Sequence, residues 1–170
     1  MTSDFFLIKY RRSKIIYEIT NQCEYANSQK FALHKIKKMK GYIGNIEEIA
    51  KENNNFRQVL YTGKHSQLVV MSLKPGEEIG AEVHPDVDQF FRIDEGEGKT
   101  IIDGIENTIE DGFAVIVPAG ANHNVINTSP DKDLKLYTIY SPANHRDKVT
   151  HATKAEALTD DEHFDGKTSE

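Results

Sequence analysis

The stretch EVHPDVDQF, Glu82 to Phe90, places a Glu, a His, two Asp and a Gln within eight residues. In extended backbone, residues two apart face the same side, so Glu82 and His84 project together. Gln89 opens the strand-like run that follows and can turn the same way. A second block, GFAVIVPAGANHNVIN (residues 112–127), has an apolar run, then a turn at Pro118 and Gly120, then His123 at the head of another strand. If the two blocks are neighbours, Glu82, His84, Gln89 and His123 converge. A carboxylate, two imidazoles and an amide oxygen form a mixed N/O set suited to one divalent transition metal: Zn, Mn, Fe, Co or Ni. The same residues also suit solvated polar turns, and spacing alone does not choose between the two.

The elements that must position these residues are short and β-like. RQVLYTG, SQLVVMSLK, DQFFRID, GKTIIDG, NTIE, FAVIVP, HNVINT and LKLYTIY are punctuated by Gly, Pro, Asn or Asp, the pattern of an all-β sandwich or barrel. Asp103-Gly104 between KTII and IENTIE is a hairpin signal, since both residues tolerate positive φ. No helix long enough for a βαβ crossover separates the runs, which argues against a parallel sheet. NIEEIAKENNN predicts a short helix with Asn45 as its cap and Glu47 and Glu48 in the first turn. EGEG (residues 95–98) lacks the spacing and the following helix of a phosphate loop and reads as a turn between strands. From Ser141 the pattern is lost. The tail reads as polar and irregular, with solvated His145, His151 and His163, a capping box of Thr153 and Glu156, and mobile last residues.

Charge is unevenly spread. Residues 1–38 carry eight Lys/Arg against three acids, and residues 39–170 carry 13 basic and 24 acidic side chains, within a net charge of -6. The basic leader is too sparse for a nucleic-acid arm, and the acidic body argues against nucleic acid as a partner. The break at Met39 divides the chain into an N-terminal extension (1–38), a barrel domain (39–150) and a polar C-terminal tail (151–170). FFLIKY and SKIIYEIT in the extension have strand-like composition. No apolar run nears the roughly 18 residues of a membrane span, and no secretory leader is evident. Cys23 is the lone cysteine, without a neighbouring base. A cytoplasmic protein is expected.

The two blocks resemble the paired motifs of the cupin superfamily, G-x5-H-x-H-x3-4-E-x6-G and G-x5-P-x-G-x2-H-x3-N. The second is matched at Gly112, Pro118, Gly120, His123 and Asn127. The first is matched at Gly76, His84 and Gly96, with Glu82 in place of the first His and Gln89 in place of the Glu. The resemblance covers residues 58–140 most closely. From Met39 onward the chain is similar to small bacterial single-domain cupins, often labelled mannose-6-phosphate isomerase-like. It implies a double-stranded β-helix (jelly-roll) barrel with a short N-terminal helix, a homodimer, and metal ligands at Glu82, His84, Gln89 and His123. The usual set of three His and one carboxylate becomes two His, one carboxylate and one amide. Its formal charge is unchanged, because the carboxylate has moved rather than vanished.

One fold hosts many activities. The resemblance favours an isomerase-like enzyme on a sugar or sugar phosphate, although no catalytic base is evident and few basic side chains could hold a phosphate. A metal-dependent oxygenase is the alternative, with Phe91, Met71 and Tyr137 as a pocket or simply as core. A non-enzymatic small-molecule binding module is the third. No DNA-binding helix-turn-helix is attached.

Overall fold

The computed structural model describes residues 40–170. FFLIKY, SKIIYEIT, Cys23 and His34 lie outside the described residues. One helix, α1 (Ile46–Glu52), precedes ten strands: β1 Arg57–Thr62, β2 Gln67–Leu73, β3 Glu82–Val83, β4 Asp88–Glu95, β5 Glu97–Ile102, β6 Ile105–Glu110, β7 Ala114–Val117, β8 Asn122–Asn127, β9 Leu134–Ser141 and β10 Thr150–His151. A second helix, α2 (Lys154–Thr159), follows. The strands form two antiparallel sheets, one in the order β10-β1-β2-β9-β4-β7 and the other β3-β8-β5-β6. This is the double-stranded β-helix barrel. All eight expected strands are present. The two that were not expected, β3 and β10, are two residues long.

The alternation of side chains across each pleat turns one face of both sheets into a shared core. Val69, Met71, Phe91 and Leu136 come from the larger sheet, and Ile109 and Val125 from the smaller. Phe91 and Met71 are fully buried, while Tyr137 lies on the other face of β9 against Phe90, with ring centroids 5.9 Å apart. Helix α1 packs over β9, β2 and β4. The Asn45 cap is a correction: its side chain makes no capping bond and donates to Glu48 Oε2 at 3.2 Å. The Asp103-Gly104 hairpin forms as expected, with φ of 47° and 83° joining Ile102 to its partner Ile105. EGEG links β4 to β5 at a point of close backbone approach. A Cβ on Gly98 would meet Ile126 O at 2.3 Å, and one on Gly96 would meet Asp133 O at 2.6 Å. Among the described residues, no helix is long and apolar enough to cross a membrane.

The C-terminal segment is irregular in path apart from β10 and α2, but it is fastened to the barrel. The Gln67 side chain, fully buried in β2, donates to His145 O at 2.7 Å and accepts from His145 N at 2.9 Å, as a paired strand would. Thr153 caps α2 by accepting from Glu156 N at 3.2 Å, and Glu156 in return accepts from Ala152 N at 2.8 Å. The last residues are tied down as well: Ser169 N donates to Thr62 O and Thr62 N donates to Ser169 Oγ, both at 2.9 Å. The solvated reading of the tail histidines therefore fails for His145 and His151, which are 5 % and 4 % exposed, and holds for His163.

Candidate metal centre

Glu82 and His123 are register partners across the β3–β8 pair. Directly opposed residues of an antiparallel pair carry their side chains on one face, so carboxylate and imidazole start out adjacent. His84 follows β3, at the period-two position from Glu82. Its loop is held from the second block: Gly120 N donates to His84 O at 2.8 Å, and Ala119 N donates to Asp88 Oδ1 at the same distance. Gly120 adopts φ +84°, the left-handed region that glycine enters without strain. Asp88 thereby serves the loop rather than the cluster. Asn127 is likewise structural, donating to Leu73 O and Lys132 O.

The four expected side chains come together. Ligand atoms of Glu82, His84 and His123 all lie within 4.8 Å of one another. His84 Nε2 is 3.3 Å from Glu82 Oε2. Gln89, on β4 of the other sheet, brings Oε1 to 2.9 Å from His123 Nε2 and donates through Nε2 to Thr138 Oγ1 at 3.1 Å. Gln89 and His123 are buried; Glu82 and His84 line a cavity of about 370 Å³, within the size range of small-ligand pockets.

The protonation states bear on whether these residues fit a cation. Burial pulls the Glu82 carboxyl upward, but the His84 imidazole and the Arg57 guanidinium outweigh it and hold it below its ordinary value. Glu82 is therefore anionic at neutral pH. Burial pushes His123 below its ordinary value, against the effect of Ala121 O, so its ring is neutral. The two ring nitrogens face two acceptors, Nδ1 at 3.3 Å from Ala121 O and Nε2 at 2.9 Å from Gln89 Oε1, and the single proton of a neutral ring serves only one of them. When the proton serves Ala121 O, the Nε2 lone pair is the one that can ligate, and it faces the amide oxygen of Gln89. Two acceptors at 2.9 Å repel unless a cation lies between them or the amide turns over. His84 Nε2, buried and in ion-pair contact with Glu82 Oε2 rather than in an aligned hydrogen bond, adds a further imidazole nitrogen. An anionic carboxylate, two imidazole nitrogens and an amide oxygen with unmet demand fit a divalent cation.

A second polar group lies in the same cavity, and sequence reading missed it. Glu162, 6 % exposed, accepts from His145 Nδ1 at 2.7 Å and from Arg146 N at 2.8 Å, with Arg57 Nη1 at 3.6 Å. Burial raises its carboxyl, but His145 and the Arg146 amide outweigh this, and it stays below its ordinary value. The Tyr140 ring stands between the two groups, edge-on to His84 with centroids 5.8 Å apart and edge-on to His145 at 4.9 Å. Burial pushes its phenol well up, so it remains protonated. No period or spacing in the sequence links Arg57, Tyr140, His145 and Glu162.

Comparison with known proteins agrees with this architecture. The cupin domain family matches residues 69–140. The uncharacterized protein YrkC of Bacillus subtilis is 46% identical over 125 residues, spanning 70% of this chain and 67% of that protein. An uncharacterized protein of Acanthamoeba polyphaga mimivirus is 44% identical over 107 residues, spanning 61% and 67% respectively. The crystal structure of BH2720 from Bacillus halodurans superposes with a TM-score of 0.70 at 39% identity, covering 73% of this chain and 98% of that one.

Proposed function

This chain belongs to the cupin family, and on that premise we propose that Glu82, His84, Gln89 and His123 hold one divalent transition metal and that the site acts as an isomerase-like enzyme on a small sugar. The observation that carries the metal reading is the convergence of ligand atoms of Glu82, His84 and His123 within 4.8 Å of one another, with Gln89 Oε1 2.9 Å from His123 Nε2. A divalent ion there would supply Lewis acidity toward a carbonyl or hydroxyl oxygen. Thr138 Oγ1 holds the Gln89 amide and Ala121 O stands beside His123 Nδ1, the hydrogen-bonded support that ligating side chains need.

The choice of an unphosphorylated sugar rests on charge. Arg57 and Lys154 line the cavity, but Arg57 is paired with Glu162, and Lys154 Nζ lies 3.8 Å from Glu78 Oε1. Neither is free to clamp a phosphate, which calls for converging cations. The oxygenase alternative loses the pocket residues expected for it, since Phe91 and Met71 are core and Tyr137 is on the outer face.

The test is metal content in protein purified without a histidine tag. The expected result is close to one transition-metal ion per chain, lowered at least about tenfold in His84→Ala and His123→Ala, by analogy with the loss of ligand-shell groups, and unchanged in His163→Ala. A metal-stripped protein that takes up none of Zn, Mn, Fe, Co or Ni would falsify the assignment. Metal retained with no turnover of any sugar, but with a small ligand recovered from the cavity, would identify a binding module instead.

A further inference from the structure

We infer that His145, oriented by Glu162, is the acid–base residue for an α-hydroxycarbonyl ligand bound at the Glu82–His84 end of the cavity. The inference deepens the metal reading above and rests on it. His145 lines the same cavity as Glu82 and His84 and is 5 % exposed. Its Nδ1 is committed to Glu162 Oε1 at 2.7 Å, and a carboxylate can only accept, so the ring proton sits on Nδ1. Its Nε2 is buried without a hydrogen-bond partner among the described residues. A buried imidazole nitrogen left unsatisfied costs free energy. Here it is also the spare atom of a dyad whose other end is fully bonded.

The dyad is built to stay in place. Glu162 is anchored by the Arg146 amide and by Arg57, and the His145 backbone is clamped on both sides by Gln67. The ring is backed edge-on by Tyr140. Burial holds the imidazole below its ordinary value, against the pull of Glu162, so the neutral ring with a free Nε2 lone pair prevails at neutral pH. This is the arrangement general-base catalysis asks for: a base at a cavity, with its tautomer fixed by a third group.

The class of ligand follows from what the two ends of the cavity accept. Oxygen donors on adjacent carbons suit the cation end. A C–H between them is acidic only when one oxygen is a carbonyl. In the step assigned to His145, the C–H bond adjacent to the carbonyl breaks and its proton moves to Nε2. The electron pair stays on the ligand as an enediolate, and the proton returns from Nε2 either to the same carbon or to the neighbouring one, in the second case as the hydroxyl proton passes to the oxygen that was the carbonyl. No oxidant or co-reactant is needed. Glu162 acts through His145 and is a positioning residue.

The experiment uses the full chain loaded with zinc and dihydroxyacetone, an α-hydroxy ketone, in D2O, with C–H loss followed by proton NMR. Wild type should exchange faster than the zinc-free protein. His145→Gln, at equal zinc content, should be slower by roughly 100-fold or more, the usual reach of a positioned acid–base group. Equal rates in wild type and variant, or no zinc-dependent exchange in wild type, overturn the inference. A readout that needs no variant is the ¹⁵N spectrum of the histidines in zinc-loaded wild type. His145 should be protonated on Nδ1 and bare on Nε2, and its Nε2 resonance should shift on adding glycolate. An Nε2-protonated ring, or no shift, overturns it. Glu162→Gln should leave zinc content unchanged and mix the two tautomers; an unmixed Nδ1–H tautomer there counts against the positioning role. Failure to hold zinc at all sinks the metal reading and this inference together. Zinc held with exchange unaltered in His145→Gln sinks only the dyad.

Discussion

The motif residues Glu82, His84, Gln89 and His123 and a second group, His145 and Glu162 of the C-terminal segment with Arg57 of β1, meet at Tyr140, yet they are satisfied in opposite ways. The first group has one His123 ring proton for two facing acceptors and a His84 nitrogen that meets Glu82 without an aligned hydrogen bond. The second uses both oxygens of its carboxylate and keeps spare only Arg57 Nε and His145 Nε2. One group is incomplete without something from outside. The other is a fastening that closes the C-terminal segment onto the barrel. Loss of the first should therefore be felt in metal binding, and loss of the second in stability, beside the exchange assigned to His145.

The sharpest way to break that contrast is Glu162→Ala. It leaves Arg57 and His145 facing each other without their carboxylate, and removing one partner of a buried pair costs about 3 kcal/mol or more. Urea denaturation should show that loss while zinc uptake is retained; a cost under about 1 kcal/mol would place Glu162 with exposed ion pairs and end its role as a fastening. A smaller effect is expected from acid. His145 and His123 are both held below 6.5 in the fold, so folding favours their neutral forms. Their contribution is complete above the unfolded value of 6.5 and is lost as pH falls from there toward their folded values. Glu162, held below 4.5, adds its own loss only at lower pH, as pH falls through its folded value. The midpoint of unfolding for metal-free protein should thus drop between pH 7 and 5, with His145→Gln flattening part of the slope. An unchanged midpoint over that range would contradict the burial of both rings. The smallest effect belongs to Thr153→Ala, which removes the α2 cap and should cost about 1 kcal/mol with zinc content untouched. A change in zinc content there would mean that the two groups are coupled through α2.

Much of the barrel was legible because strands of four residues or more carry a readable alternation. β3 and β10 have two residues each, too few for any period. That omission matters, because β3 carries Glu82 and sets it opposite His123. The convergence of the four motif residues followed from pleat geometry and turn chemistry, both local. The second group did not, because its positions depend on single hydrogen bonds between distant atoms: Gln67 to the His145 backbone and Thr62 to Ser169. Such bonds leave no repeat in the sequence, and a polar segment fastened by them looks the same as one in solvent. Asn45 misled in the opposite sense. It stands at the cap position, yet its side chain is drawn to Glu48.

The placement of Gln89 has a consequence for how the molecule comes apart. Glu82 and His123 belong to the four-stranded sheet, and Gln89 to the six-stranded one. An ion shared among them is a rivet through both layers of the barrel. Its occupancy is then linked to unfolding by mass action: at a hundredfold excess over its dissociation constant it adds about 2.7 kcal/mol against opening. Amide hydrogens in β8 and β4 would slow their exchange together on loading, and the two sheets would open as one unit.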